Sequence, residues 1–312
     1  MERRKIMPAL LAVLLAAAVF LAMYFRVMYR NINYLPDEAL DNLCEILAED
    51  HIYIDRNTVS LKRESGTIYV CESDGYSKNV AQQLGGSDIK YRFATPDGET
   101  MLLYNGAILE FASGFEFQYR ADQTVSYTDG TFDADDTAGM QTLAPGIAKE
   151  AEAVVTAFLD GGSSGFDDRD QLNIVTEINN IYEKDGIYYV ECVRTIDGLE
   201  ITENRVVCVV RDGEVAEAFG KWCFLTLGQS YSSQLTDVLN ILFSVKKEID
   251  GIRESGDTQR VTVEGISRCY TLYYLGDDEG FCFIPCWQIV TDLYGEFIYN
   301  AVDGTLYTKK YV

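Results

Sequence analysis

The sequence has one histidine, His51, among its 312 residues. Zinc sites with several histidine ligands are therefore excluded, and a histidine-based catalytic triad could form only around this residue. His51 follows Glu49 and Asp50 at the predicted end of a helix, where a cationic side chain interacts favourably with the terminal carbonyl groups. We therefore interpret His51 as structural. The H-E-x-x-H motif and phosphate-binding glycine loops are absent as well.

Basic side chains are also scarce. The 26 Lys and Arg residues stand against 49 Asp and Glu residues, which gives a net charge of −23. Contacts to phosphate groups need positive charge, so this composition excludes nucleic acid as a partner and predicts repulsion from anionic lipid headgroups. The acidic residues are spread along the chain, as on an ordinary solvated surface.

Two groups of aspartates resemble metal sites only superficially. They lack the glycine at the sixth position and the glutamate at the twelfth position that an EF-hand loop requires. We interpret both groups as solvated loops and predict no catalytic, cofactor-binding or metal-binding residues. The aspartates are Asp133, Asp135 and Asp136 in the first group and Asp167, Asp168 and Asp170 in the second.

One long apolar run lies near the start of the chain. Ile6–Phe25 contains twenty residues without a charge. A helix of that length spans about 30 Å, the thickness of the hydrocarbon core of a bilayer. Residues 1–5 carry three basic side chains, which favours a cytoplasmic leader and an extracytoplasmic main chain. We predict a single-pass membrane anchor over residues 6–25; a cleaved signal peptide is the alternative.

The rest of the chain alternates between helical periodicity and short strands. The predicted elements include a strand over Thr58–Lys62, a brief helix over Ser77–Leu84 and a helix over Leu235–Ile249. Asp-Gly and Asn-Gly pairs between the strands are strong hairpin signals, and the pattern contains no βαβ alternation. We predict an α+β fold with two or three modules of antiparallel meander sheet, each with a helix packed on one face. The predicted modules are 31–120, then an acidic linker or loop over 121–144, then a C-terminal region over 145–312 that contains the repeats 145–226 and 235–312.

The eight cysteines leave two interpretations open. In an oxidising compartment Cys192 could pair with Cys208, and Cys269 with either Cys282 or Cys286. Cys282 and Cys286 should not pair with each other, because four residues of a regular strand place their Cα atoms about 13 Å apart. The alternative, which we favour, is that most of these cysteines are small buried hydrophobic residues.

A family resemblance rests on both ends of the chain. The apolar run, the Asn-Tyr-Leu-Pro segment and the ending FIPCWQIVTDLYGEFIYNAVDGTLY resemble the YycH/YycI proteins, as does the helix DVLNILFSVKKEI followed by ISRCYTLYYL. The nearer likeness is to YycI. The ending, with Pro285, Trp287 and the Asp303-Gly304 turn, also looks like a PepSY-type module. Trp287 itself fits either a core position, which we favour, or a recognition edge.

The resemblance implies regulation without catalysis. We expect a non-enzymatic extracytoplasmic regulator that modulates a membrane sensor histidine kinase of a two-component system controlling cell-wall metabolism. Expected partners are that kinase, a YycH-type protein and the lipid bilayer through residues 6–25, with no cofactor. The alternative is a PepSY-type binding or inhibitor module that acts on a protease or a wall ligand. A wall hydrolase built on paired carboxylates is a third hypothesis, to which the sequence gives little weight.

Overall fold

The computed structural model describes residues 3–72, 84, 88–95, 98–112, 115–122, 139–160, 174–223, 226–254, 257–276 and 280–310. Within these ranges the chain forms four α-helices and sixteen β-strands, so the fold is α+β, as predicted. The helices are α1 Arg3–Asn33, α2 Asp37–Glu49, α3 Lys149–Asp160 and α4 Val238–Ile252. The strands are β1 Ile52–Ile54, β2 Ser65–Glu72, β3 Ile89–Thr95, β4 Gly98–Leu103, β5 Ile108–Ala112, β6 Glu116–Arg120, β7 Gln141–Leu143, β8 Ile174–Lys184, β9 Ile187–Ile196, β10 Leu199–Arg211, β11 Glu214–Lys221, β12 Thr226–Gln234, β13 Val261–Gly276, β14 Gly280–Thr291, β15 Gly295–Asn300 and β16 Leu306–Lys310.

The chain divides into two compact units, and neither is continuous in sequence. The first unit contains Met1–Thr67, Ser232–Ser267 and Cys286–Val312, and the second contains Ile68–Tyr231 and Arg268–Pro285. The modules predicted from the sequence are all continuous segments. The discontinuity arises because strands β2, β12, β13 and β14 each contribute residues to both units.

The first unit packs α2 and α4 against a small sheet. Strand β14 pairs antiparallel with β15, and β15 with β16, whereas β1 lies parallel to the start of β13. The Asp237 side chain caps α4 by accepting a hydrogen bond from the Asn240 amide at 3.1 Å. The apolar residues of α4 recur at helical spacing and are buried with Leu43 and Leu47 of α2 in one hydrophobic core.

The second unit is built on nine antiparallel strands. Their order is β3-β4-β5-β6-β11-β10-β9-β8-β7. Helix α3 covers one face through Ala151, Val155 and Leu159, which share a core with the inward residues of the strands. The hairpins at Asp185-Gly186, Asp197-Gly198 and Asp212-Gly213 have positive φ at both turn residues, as predicted for type I′ turns.

Four local features differ from the prediction or fall outside the described residues. The segment Thr58–Lys62 was expected to be a strand, but Arg56–Thr58 forms a 3₁₀ turn because the Asp55 side chain accepts from the Asn57 amide at 2.9 Å. Strand β12 was not expected, and β7 lies in the segment predicted as a linker. Apart from Leu84, the helix predicted over Ser77–Leu84 falls outside the described residues.

Helix α1 contains the long apolar run and continues beyond it to Asn33. Among the described residues, no helix is long and apolar enough to cross a membrane. The membrane anchor over residues 6–25 therefore stays a prediction.

Candidate functional site

A cavity of about 660 Å³ opens on the sheet of the second unit. Strands β5, β6, β9, β10 and β11 line it, and we call it the sheet groove. Its volume falls within the range of ligand pockets, roughly 300–1,000 Å³. Its polar side chains include Glu110, Glu116, Gln118, Glu191, Arg205 and Lys221.

The strand registers explain how residues distant in sequence meet in the groove. Directly opposed residues of neighbouring antiparallel strands share a face of the sheet. Glu110 opposes Gln118, Gln118 opposes Phe219, Phe219 opposes Val207, and Val207 opposes Glu191. This row, which we call the central row, places a carboxylate at each end and two apolar side chains between them. The neighbouring positions on each strand point to the other face, into the core under α3.

A second row runs beside it and carries opposite charges. Glu116 opposes Lys221, and Lys221 opposes Arg205. Lys221 Nζ lies 3.4 Å from Glu116, and Arg205 lies 3.5 Å from Glu191 and 3.1 Å from Glu200. One guanidinium is therefore shared between two carboxylates.

The ends of the central row differ in exposure. The Glu110 side chain is 44% exposed and lies 3.5 Å from Arg120. The Glu191 side chain is only 14% exposed, and it accepts a hydrogen bond from the Asn180 side chain at 2.6 Å. A charge at such a half-enclosed position interacts more strongly with a ligand than one in open water.

Gly220 is required where β11 passes the groove. Its φ is +138°, and a Cβ atom there would lie 2.3 Å from the carbonyl oxygen of Arg205 and 3.0 Å from the Cα of Val206. Any other residue would push β10 and β11 apart. The close approach of these two strands thus depends on glycine.

This arrangement suits recognition. The ionisable side chains of the groove are carboxylates and cations that face one another, and its floor is apolar. Such a surface offers charge-assisted hydrogen bonds and apolar contact to a ligand. No pattern in the sequence indicates this groove, because its residues come together only through the register of neighbouring strands.

The second candidate surface is α1. Most of its described side chains are apolar and exposed: Phe20 is 70%, Phe25 is 62% and Tyr29 is 63% accessible. Large contiguous apolar surface marks a site of contact with lipid or with another protein.

Backbone hydrogen bonds connect the end of α1 to the rest of the first unit. The Arg63 amide donates to the Asn33 carbonyl at 2.8 Å, and the Leu35 amide donates to the Leu61 carbonyl at 2.8 Å. Tyr34 forms an isolated bridge with Lys62. Three residues separate α1 from α2, so a displacement of the helix is transmitted to the unit without a flexible linker.

His51 has a structural position. It follows α2 with a φ of +59°, its amide donates to the Ala48 carbonyl at 3.1 Å, and its carbonyl accepts from the Val261 amide at 2.9 Å. The residue thus ends the helix and helps to place β13.

All eight cysteines are free thiols, and all except Cys44 are buried. Cys192 opposes Val206, and Cys208 opposes Val190, so the predicted pair lies on a diagonal of the sheet. Diagonal neighbours are about 7–8 Å apart, beyond the usual span of a disulfide. Burial raises the pKa of Cys71 to about 12 and that of Cys282 to about 11. These observations agree with the interpretation of most cysteines as buried hydrophobic residues.

Trp287 is a core residue rather than a recognition edge. It is 5% exposed, and its indole Nε1 donates to the Thr236 carbonyl at 3.0 Å. Its ring is therefore buried in the core of the first unit and its N–H group has a hydrogen-bond partner, as expected for a structural tryptophan.

The predicted aspartate groups, including Asp133 and Asp168, lie outside the described residues. Within the described part of the chain, no cluster of three or more His, Cys, Asp or Glu side chains could hold a metal ion. A G-x-S-x-G pattern occurs at 161–165, also outside the described residues. Helix α3 directly precedes it, whereas the nucleophile elbow of hydrolases follows a strand.

Comparisons with known proteins give only distant structural similarity. No family model matches the chain, and no curated protein matches it. A crystal structure of an uncharacterized protein from Eubacterium rectale ATCC 33656 is similar with a TM-score of 0.48 and 14% identity, covering 84% of this chain and 92% of that one. The Bacillus megaterium YpeB C-terminal domain is a weaker neighbour, with a TM-score of 0.26 and 13% identity over 78% of this chain and 99% of that one.

Proposed function

We propose that this protein is a non-enzymatic, membrane-anchored extracytoplasmic regulator that modulates a sensor histidine kinase of a two-component system controlling cell-wall metabolism. Residues 6–25 anchor it, residues 1–5 are cytoplasmic, and the rest of the chain lies outside the cell. It acts by binding one signalling state of the kinase more tightly than the other, which shifts the equilibrium between them.

The observation that carries this proposal is the apolar, exposed surface of α1. The described side chains from Leu15 to Ile32 include many large apolar groups in contact with solvent in the isolated chain. Together with the uncharged run Ile6–Phe25, this surface favours burial in lipid and against a partner's membrane helix. The hydrogen bonds at Asn33 and Leu35 support a role in which the helix and the rest of the first unit move together.

The experiment is crosslinking in the membrane followed by purification of the tagged full-length protein and identification of its partners by mass spectrometry. The comparison variant replaces Ile6–Phe25 with an unrelated leucine–alanine helix of equal length. We expect the wild-type protein to recover a sensor histidine kinase and the variant to lose it while staying in the membrane. Equal recovery by both proteins would contradict contact through the helix, and recovery of no kinase by either would contradict the proposal.

A second candidate function is favoured by the sheet groove. A PepSY-type binding or inhibitor module that acts on a protease or a wall ligand needs a recognition surface on its outer units, and the groove is such a surface. Recovery of a protease or a wall enzyme in place of a kinase would support this alternative.

A further inference from the structure

We infer that the sheet groove binds an extended peptide segment carrying two basic side chains about six residues apart with apolar residues between them. This inference concerns the second unit and does not depend on the identity of a partner kinase. A failure of this inference and a failure of the proposed function can therefore be observed separately.

The charge balance of the groove favours a cationic ligand. Five carboxylates surround it: Glu110, Glu116, Glu191, Glu200 and Glu203. Three cations face them: Arg120, Arg205 and Lys221. The excess is negative and lies within a chain of net charge −23. A ligand cation therefore completes the network, whereas an anion is repelled.

The spacing of the central row sets the length of the ligand. Four strand-to-strand steps separate Glu110 from Glu191 through β6, β11 and β10. At about 4.8 Å per step the separation is about 19 Å. In an extended peptide, residues six positions apart lie about 20 Å apart and point to the same side. Two lysines at that spacing reach both carboxylates.

The floor between the carboxylates selects apolar side chains. Gln118, Phe219 and Val207 occupy the three interior positions of the row, about 5, 10 and 14 Å from Glu110. The intervening residues of the peptide that point the same way are the second and fourth after the first lysine, about 7 and 13 Å along the peptide. Leucine at the fourth position meets Val207, and leucine at the second lies between Gln118 and Phe219.

The same face continues toward the edge strand β3 with exposed rings. Glu110 opposes Thr100, and Thr100 opposes Phe93. Phe93 is 61% exposed, and its ring centroid lies 6.5 Å from that of Tyr91, which is 53% exposed. Exposed aromatic rings attract basic side chains through cation–π contact, so basic residues beyond the first lysine also find a partner.

The test uses the full-length protein in a non-ionic detergent and a dye-labelled peptide, acetyl-Lys-Ser-Leu-Ser-Leu-Ser-Lys-amide. Fluorescence anisotropy measures its affinity, and the same peptide with glutamate in place of both lysines is the control ligand. We expect the lysine peptide to bind, the glutamate peptide not to bind, and binding to weaken as salt is raised.

The matched variants are Glu110→Gln with Glu191→Gln, and Asp185→Asn. Asp185 is an exposed residue of a hairpin turn outside the groove, and asparagine tolerates its φ of +53°. We expect the double variant to bind about tenfold more weakly and Asp185→Asn to bind as the wild type does. Equal affinity of all three proteins, or equal binding of both peptides, would overturn the inference.

A second measurement needs no variant. A photoreactive leucine in the middle of the peptide is crosslinked to the wild-type protein, and the adducts are located by mass spectrometry. We expect adducts on β6, β10 or β11, beside Gln118, Val207 and Phe219. Adducts confined to other strands, or none with the peptide at millimolar concentration, would refute the groove as the binding site.

Discussion

Replacement of Gly220 by alanine tests the close packing of β10 and β11 beneath the groove. A Cβ atom at this position would lie 2.3 Å from the Arg205 carbonyl oxygen, and the φ of +138° is unfavourable for any L side chain. The positive φ costs about 1–3 kcal/mol. Displacement of the neighbouring strand by about 1 Å weakens roughly two ladder hydrogen bonds, each worth about 0.5–1.5 kcal/mol net. We therefore expect Gly220→Ala to lower the free energy of unfolding of the second unit by about 2–6 kcal/mol.

The two tryptophans make the measurement specific to each unit. Trp222 is fully buried in the second unit, and Trp287 is buried in the first. In a Trp287→Phe background, urea unfolding followed by fluorescence reports Trp222 alone. The matched control in the same unit is Gly213→Ala, because its φ of +82° is also positive but a Cβ atom there has no neighbour within 4 Å. The reasoning is refuted if Gly220→Ala shifts the Trp222 transition by less than about 1 kcal/mol, or no more than the control does.

Three other predictions follow from the structure. Burial raises the pKa of the Cys71 thiol to about 12. In the native protein at pH 8, iodoacetamide should therefore modify the half-buried Cys44 first, and it should modify all eight thiols only in urea. Rapid labelling of Cys71 in the native protein would contradict this. Hydrogen bonds to Asp250 and Asp50 raise the pKa of Lys246, so the stabilising effect of its charge is complete below about pH 10.4 and is lost as the pH rises through the folded-state pKa. The difference in unfolding free energy between the wild type and Lys246→Met should therefore shrink above that pH, and a constant difference would disprove the charge effect. Insertion of a flexible Gly-Ser segment directly after α1 should abolish regulation of the kinase while leaving the protein in the membrane, as measured by kinase output and membrane fractionation. Unchanged regulation would show that the rigid connection between α1 and the rest of the first unit is not needed for signalling.

Local signals predicted much of the fold. The hairpins at Asp185-Gly186 and Asp212-Gly213 follow from residues that tolerate positive φ, and the adjoining strands follow from alternation of apolar and polar residues. Helix α4 begins three residues later than expected, because Asp237 supplies the cap that a start at Leu235 lacks. These features depend on neighbours in the chain and can be inferred from the sequence.

Features that depend on distant neighbours could not be predicted. Strand β12 is rich in Ser and Gln and has little periodicity; its pairing with β2, not its propensity, makes it a strand. The parallel pairing of Ile52 with Val261 joins residues about two hundred positions apart. The sheet groove has the same origin, since Glu110 and Glu191 share a face only through three intervening strands. A single sequence does not contain the register of such pairings.

The central claim is that the anchored protein changes the state of a sensor kinase. The most direct measurement is the autophosphorylation rate of the kinase recovered by crosslinking, reconstituted in lipid vesicles with the wild-type protein, with the variant in which residues 6–25 are exchanged, or alone. We predict that the wild-type protein changes the rate severalfold and that the exchanged variant leaves it at the value of the kinase alone. A rate that is the same in all three samples would contradict the proposed regulation.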